Sequence, residues 1–236
     1  MALDFDFTPH YNLVLPISKE KVEYRPYLVG EEISFLTHLE TEDATDLVGA
    51  ILNLTKNCIK DKSVFENMNI VDFTYLTANI RAKSKGEEIT IPRTCPECKS
   101  QIETVFDISK DLKIKNEKNT KIVVPVSDDI SIEIGVLPYN HLLEIVGVES
   151  KDETANSESL TIASCINKVV HKGKIYSNLS LEDIYNDVVK RMSATQLEKL
   201  VKEMRNLPII YGVIEFNCQC GYKERVEVDN VLNFLS

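Results

Sequence analysis

Two short stretches carry the residues best suited to chemistry: "TCPECKS", with Cys95 and Cys98, and "NCQCGY", with Cys218 and Cys220. Cysteines this close together can hold a metal ion, exchange disulfides or fill a core. The flanking residues separate these cases. "EEITIPRT" and "SQIETVFDI" flank the first pair, "IIYGVIEFN" and "YKERVEVD" the second, and all four alternate apolar with polar in the strand manner. A strand, a tight cysteine turn and a returning strand therefore occur twice. Two such hairpin tips presenting four thiolates are how a zinc ribbon holds Zn²⁺, which binds sulfur and closes its shell with four ligands. Pro96 stiffens the first turn, and Gly221 permits positive φ where the second chain bends around the ion. Four thiolates on one Zn²⁺ leave two negative charges, which Arg93, Lys99, Lys223 and Arg225 stand near enough in sequence to offset. Two departures mark the pattern: the second pair is C-x-C rather than C-x₂-C, and Lys99 stands where glycine is common.

Two other readings stay open. A thioredoxin-like C-x-x-C using Cys95 and Cys98 belongs at the start of a helix in a βαβ unit, and here strands flank it. The remaining reading is a buried pair of free cysteines, or a zinc site lost in this chain. Cys58 and Cys165 fall on apolar faces of predicted helices and read as small core side chains. Signs of catalysis are sparse. His10, His38, His141 and His171 are scattered, and no H-E-x-x-H, G-x-S-x-G, P-loop or dinucleotide fingerprint occurs. The acidic pairs Glu31–Glu32 and Glu87–Glu88 read as helix-start and strand-edge charges. The chain is not expected to be an enzyme.

The elements that must position the cysteines follow from periodicity. "YNLVLP" and "KVEYRPYLV" alternate like a hairpin pair. Three helical patterns follow: "GEEISFLTHLE" with Ile33, Leu36 and Leu39 at helical spacing, "DATDLVGAILNLTKNCI", and "NIVDFTYLTANIRAKS" with Phe73, Leu76 and Ile80 inward. Phe35, Phe73 and Tyr75 are expected in their core. After the first cysteine hairpin come the strands "KIVVPV" and "ISIEIGVL", turning at "SDD", with Pro125 placing the first at an edge. "PYNHLLEIVGVE" reads as a helix, and the polar "SKDETANSE" as a surface loop prone to disorder. "SLTIASCINKVV", "SLEDIYNDVVKRM" and "SATQLEKLVKEMRNL" read as helices, with cap spacing at Ser180–Asp183 and a capping box at Ser193–Gln196.

The fold class expected is α+β. Zinc-ribbon-like hairpins come from the middle and the C-terminus (residues 87–108 and 209–229). A long, largely helical insertion (109–208) lies between them, and a strand-plus-helices segment (1–86) leads in. Composition agrees with an ordinary globular chain: 43% apolar and 27% charged among 236 residues. No apolar run reaches the roughly 18 residues of a membrane span, and acidic residues stand where an export signal carries positive charge. The net charge of −10 and pI near 5.0 disfavour nucleic-acid and anionic-membrane partners. In the one basic stretch, "SKDLKIKNEKNTK", the lysines are interspersed with Asp111 and Glu117, as on a solvated loop or edge. Six unevenly spaced cysteines do not make a secreted disulfide framework, so a reducing, cytoplasmic setting is expected.

The opening "YNLVLPISKEKVEYRPYLVGEEISFL" resembles the N-terminal signature of T-even-type bacteriophage baseplate hub proteins, in which "-YRPF/YLV-EE-" leads into the first helix. "NIRAKSKGEEITIPRTCPECKS" is similar to the following block of that family, and "FNCQCGYKERVEV" has the place of its second knuckle. Residues from about 112 to 206 match only in helical character. The resemblance implies a non-enzymatic hub subunit or hub assembly factor of a myovirus tail. Its partners would be other baseplate hub proteins, with no small-molecule substrate. It would work in the host cytoplasm during tail assembly, or in the virion baseplate. The alternatives from the residues alone are a zinc-ribbon adaptor for polymerase or nucleic acid, disfavoured by Glu215, Glu224 and Glu227, and the thiol oxidoreductase already named.

Overall fold

The computed structural model describes residues 8–39, 43–149 and 157–228. The stretch "SKDETANSE" lies almost wholly outside these residues, as does the start of the chain. Strands β1 (Tyr11–Val14) and β2 (Lys21–Tyr24) pair antiparallel as the alternation implies. Helices α1 (Val29–Leu39), α2 (Ala44–Asn57) and α3 (Ile70–Lys85) follow. Asp43 caps α2 and Asn69 caps α3, each accepting an early backbone N–H that the helix itself cannot pair. Gly86, with φ +102°, stops α3 before the first cysteine hairpin.

Phe73, Leu76 and Ile80 of α3 are fully enclosed, as their spacing predicts, together with Leu52, Tyr24, Phe35 and Cys58. Tyr75 is only half-buried. The α1 pattern turns out differently. Phe35 enters this core, while Ile33 and Leu36 face outward. The carboxylates on the same helix are held inward by basic partners, which sets its rotation. Arg25 grips Glu31 with two hydrogen bonds of 2.8 Å and also donates to the Asn57 carbonyl at the end of α2. Glu31 in turn accepts from the Leu28 amide at the start of α1, and Lys85 pairs with Glu32.

A buried carboxylate ties the hairpin to this core. Asp72, in the first turn of α3, is fully enclosed. It accepts hydrogen bonds from the Ile17 and Ser18 amides at 2.7 and 2.9 Å and from the Asn69 side chain at 2.8 Å. A buried carboxylate needs such donors. The two amide bonds fix the β1–β2 turn onto the helix, and the Asn69 bond holds the carboxylate in place for them.

Strands β3 (Glu88–Thr94) and β4 (Gln101–Asp107) form the first cysteine hairpin. A short helical turn, α4 (Ile108–Asp111), leads to β5 (Leu112–Lys115), in the stretch expected to be a solvated loop or edge. This strand pairs with β10 (Ile209–Asn217), which pairs on its other side with β11 (Lys223–Val228), giving the order β11-β10-β5. Lys113 and Lys115 thus lie on an outer strand.

The inserted segment carries helices, as expected, together with more strand than the sequence suggested. It holds an antiparallel sheet of β6 (Lys121–Ser127), β7 (Ile130–Gly135), β8 (Ile166–His171) and β9 (Lys174–Ser177), in that order. Pro125 does lie on an outer strand. Helices α6 (Ser157–Ser164) and α8 (Ala194–Met204) pack on the sheet, α5 (His141–Glu149) contacts α2 and α6, and β9 is followed by α7 (Leu181–Asp183). The last runs on as a π turn over Ile184–Val188 and a 3₁₀ turn over Val189–Arg191. Ser180 caps α7, and the Ser193–Gln196 capping box is formed in full.

"SLTIASCINKVV" is half helix and half strand. Leu160 and Ala163 sit on α6, but the Cys165 amide closes back onto the Thr161 and Ile162 carbonyls and the chain enters β8. β-Branched Ile166, Val169 and Val170 suit a strand, and β7 offers a free edge to pair with. Gly135 allows this close crossing, since a Cβ there would stand 2.3 Å from the Asn167 side chain. Val124, Ile132, Ile134, Ala163 and Leu200 fill the core between the sheet and its helices. Tyr139, although within the inserted segment, packs in the N-terminal core, stacked on Phe73 at 5.3 Å.

Candidate metal centre

The two cysteine loops share one hydrogen-bond scheme, dictated by where each chain must reverse. In the first, the Cys95 amide donates to the Ser100 carbonyl and the Lys99 amide to the Cys95 carbonyl. In the second, the Cys218 amide donates to the Tyr222 carbonyl and the Gly221 amide to the Cys218 carbonyl. The residue after the second cysteine is left-handed in both: Lys99 at φ +61° and Gly221 at φ +96°. The second loop is one residue shorter, which is the C-x-C departure seen in the sequence, yet it closes in the same way.

The hairpins meet because they share a core. Phe106 and Ile102 of β4, Ile214 and Phe216 of β10, and Ala78 and Ala82 of α3 bury one another. This brings the two tips together and gathers all four expected residues. The sulfurs of Cys95, Cys98, Cys218 and Cys220 all lie within 4.8 Å of one another. Cys95 Sγ is 3.8 Å from Cys220 Sγ, and Cys98 Sγ is 3.5 Å from Cys218 Sγ. No disulfide joins them. Four thiolates at about 2.3 Å around a tetrahedral zinc ion stand about 3.8 Å from each other, so the donor set fits such an ion in number, chemistry and spacing. Cys95 is completely buried at the base of the cluster, while Cys98 and Cys220 are exposed.

Ser100 belongs to the site and is not flagged by any cysteine motif. Its Oγ lies 3.0 Å from Cys98 Sγ and 3.4 Å from Cys218 Sγ. The available signal was its place at the end of the loop, where a hydroxyl two residues past Cys98 can turn back onto the sulfur. These contacts hold the Cys98 thiol below its ordinary pKa and bring Cys218 down to about 6. The Tyr222 amide favours the Cys220 thiolate, but the neighbouring sulfurs, chiefly that of Cys218, outweigh it and push that thiol up to about 12. Thiolates this close repel, so all four ionise together only around a cation.

The nearby charges are partly committed elsewhere. Arg93 pairs with Glu224 and lies 4.5 Å over the Phe216 ring, and Glu224 also accepts from the Tyr222 hydroxyl at 2.6 Å. Lys99 folds back to the Pro96 carbonyl at 2.9 Å, which places its charge on the first loop itself. Lys223 and Arg225 are exposed on β11. Cys58 and Cys165 are buried away from the cluster, and burial raises both thiols to about 12. The histidines remain scattered: His10 contacts Glu23 at 3.2 Å, His38 contacts the Ser34 carbonyl, and His171 lines a groove of about 480 Å³ beside β9.

A family model described as "T4 bacteriophage base plate protein" matches residues 8–236. No curated protein and no solved structure matches the chain. No helix among the described residues is long and apolar enough to cross a membrane.

Proposed function

The chain belongs to the T4 bacteriophage base plate protein family, and from that membership we propose that it is a non-enzymatic protein of the baseplate hub, acting as hub subunit or hub assembly factor. A structural baseplate protein works through contacts with other phage structural proteins. Within that role we propose that Cys95, Cys98, Cys218 and Cys220 hold one structural Zn²⁺ and that the two hairpins form a zinc ribbon. The observation that carries this is the convergence of four sulfurs from distant parts of the chain to within 4.8 Å. The ion supplies a cross-link: it joins residues 87–108 to residues 209–229 across the 109–208 insertion, with residues 1–86 as the lead-in unit. With four protein ligands its shell is closed and leaves no position for a substrate. The partners proposed are other hub proteins, met in the host cytoplasm during tail assembly, and the assembled place is the virion baseplate.

Native mass spectrometry of the tagged protein, recovered under reducing conditions from infected cells, tests both parts. One zinc per chain with phage hub proteins attached is the expected result. A metal-free monomer with four freely alkylated thiols would overturn the zinc site and direct attention to thiol exchange at Cys98.

A further inference from the structure

Ser100 and Tyr222 hold equivalent places in the two cysteine loops, each two residues past its loop's second cysteine. The carbonyl of each accepts the amide of the first cysteine, Cys95 or Cys218. The amide of each serves the sulfur of the second, Cys98 or Cys220. Their side chains then leave their own hairpin. The Ser100 hydroxyl reaches the other loop, with its Oγ 3.4 Å from Cys218 Sγ while it stays 3.0 Å from Cys98 Sγ. The Tyr222 hydroxyl donates to Glu224 at 2.6 Å, and the same carboxylate oxygen takes Arg93 of the first hairpin at 2.5 Å. Each loop is therefore tied to the opposite hairpin through the residue that closes it.

The chemistry of the sulfurs assigns the direction of the Ser100 contacts. Sulfurs bound to a cation are thiolates, which accept hydrogen bonds and have no proton to give. The hydroxyl is then the donor, and its one proton is shared between sulfurs that stand 120 residues apart in sequence. A donor aimed at an anionic sulfur makes a charge-assisted bond and draws off part of the excess charge that four thiolates leave around Zn²⁺. A partner of this kind orients a metal ligand and adds to affinity without touching the ion. Lys99, the charged neighbour of Ser100, turns back to the Pro96 carbonyl and takes no part in these contacts.

We propose that Ser100 and Tyr222 are positioning residues of the metal centre, each bracing its own loop against the opposite hairpin so that four sulfurs stand ready for one ion. Ser100 acts on the sulfurs directly, and Tyr222 acts through Glu224 and Arg93. The inference rests on the zinc reading above and is independent of the hub assignment.

Titration of the full-length, metal-stripped protein with Co²⁺ and then Zn²⁺ against a competing chelator, under reducing conditions, tests it. Ser100→Ala should weaken Zn²⁺ binding about tenfold or more. It should also move the sulfur-to-cobalt charge-transfer absorption to lower energy, because a sulfur without its hydroxyl donor gives up electrons more readily. Ser100→Thr keeps the hydroxyl and should restore both. Tyr222→Phe should weaken binding by less and leave the absorption in place, since its hydroxyl is given to Glu224 rather than to a sulfur. A wild-type chain that takes up neither metal would overturn the zinc reading, and this inference with it. Metal uptake by the wild type, with Ser100→Ala equal to it in affinity and absorption, would overturn this inference alone. So would a Ser100→Thr variant no better than Ser100→Ala, and unchanged affinity in Tyr222→Phe would overturn the part that concerns Tyr222.

Discussion

The N-terminal core and the paired cysteine hairpins solve the same problem in different ways. Around α3, large side chains such as Phe73, Leu76 and Ile80 are enclosed by elements from β1 to α5, and apolar burial supplies the stability. The hairpins are thinner. β3 and β4 form only a two-stranded sheet in which β3 buries no residue fully, and the core beneath them meets α3 through small Ala78 and Ala82. Two-stranded hairpins are marginal alone. Their loop tips are where the four sulfurs converge, with Cys95 and Cys218 seated in that core and Cys98 and Cys220 exposed at its edge. The difference teaches that the cysteine cluster stands where a small apolar core runs out into exposed loops.

Removing the proposed zinc should give the largest effect. Structural zinc contributes on the order of 10 kcal/mol to folding, so a strong chelator, or Cys95→Ser or Cys218→Ser, should lower the melting temperature sharply. Cys58→Ser, in the N-terminal core, should cost only a packing loss of about 1–3 kcal/mol. Calorimetry of the variants with and without chelator would compare them, and equal losses would erase the distinction between the two regions.

Asp72 sharpens the comparison from the other side. Asp72→Ala strands two backbone amides of the β1–β2 turn and should cost about 2–4 kcal/mol. Urea titration would show the loss, and amide exchange would accelerate at Ile17 and Ser18 while the hairpin amides near Cys95 and Cys218 keep their protection. Simultaneous loss of protection at both would mean that the two regions unfold as one.

The Arg25–Glu31 clamp has a smaller, pH-dependent effect. The hydrogen bonds from Arg25 hold the Glu31 carboxyl below its ordinary value of 4.5. A depressed folded pKa contributes stability that is fully present above the unfolded value and is lost as pH falls through the folded one. Melting temperature should therefore drop with acidification below about pH 4.5, and Glu31→Gln should flatten that part of the profile by on the order of 1 kcal/mol.

The smallest change is at Lys99. Its left-handed backbone costs an L-residue roughly 1–2 kcal/mol, and Gly221 occupies the equivalent place in the other loop without that cost. Lys99→Gly should raise stability by up to about 1 kcal/mol once the extra freedom of unfolded glycine is offset, and Gly221→Ala should lower it. A melt of the two single variants would show opposite signs if the loops are equivalent.

Much of this could be read directly. The hairpins, the capping box at Ser193, the edge placement of Pro125 and the inward face of α3 rest on local rules of periodicity, capping and missing donors, which act over a few residues. The cysteine loops were legible because strand alternation on both sides of each pair implied a hairpin tip. Failures occurred where distant partners overrode local pattern. Ile166 and Val170 continue a helical period from Leu160, yet the free edge of β7 draws them into a strand. Ser100 joins the cysteine cluster only because another loop arrives beside it.

Sequence alone determined the types and spacing of the four thiols, the acidic charge and the family signature, since these are properties of the chain. Only the tertiary structure decided that the two loops meet, that Asp72 is buried against a distant turn, and that α1 shows its apolar stripe to the outside. Each of these depends on a contact between residues far apart in sequence. In α1 the distant partner is Lys85, which with the neighbouring Arg25 holds the carboxylates inward against the helix's own period.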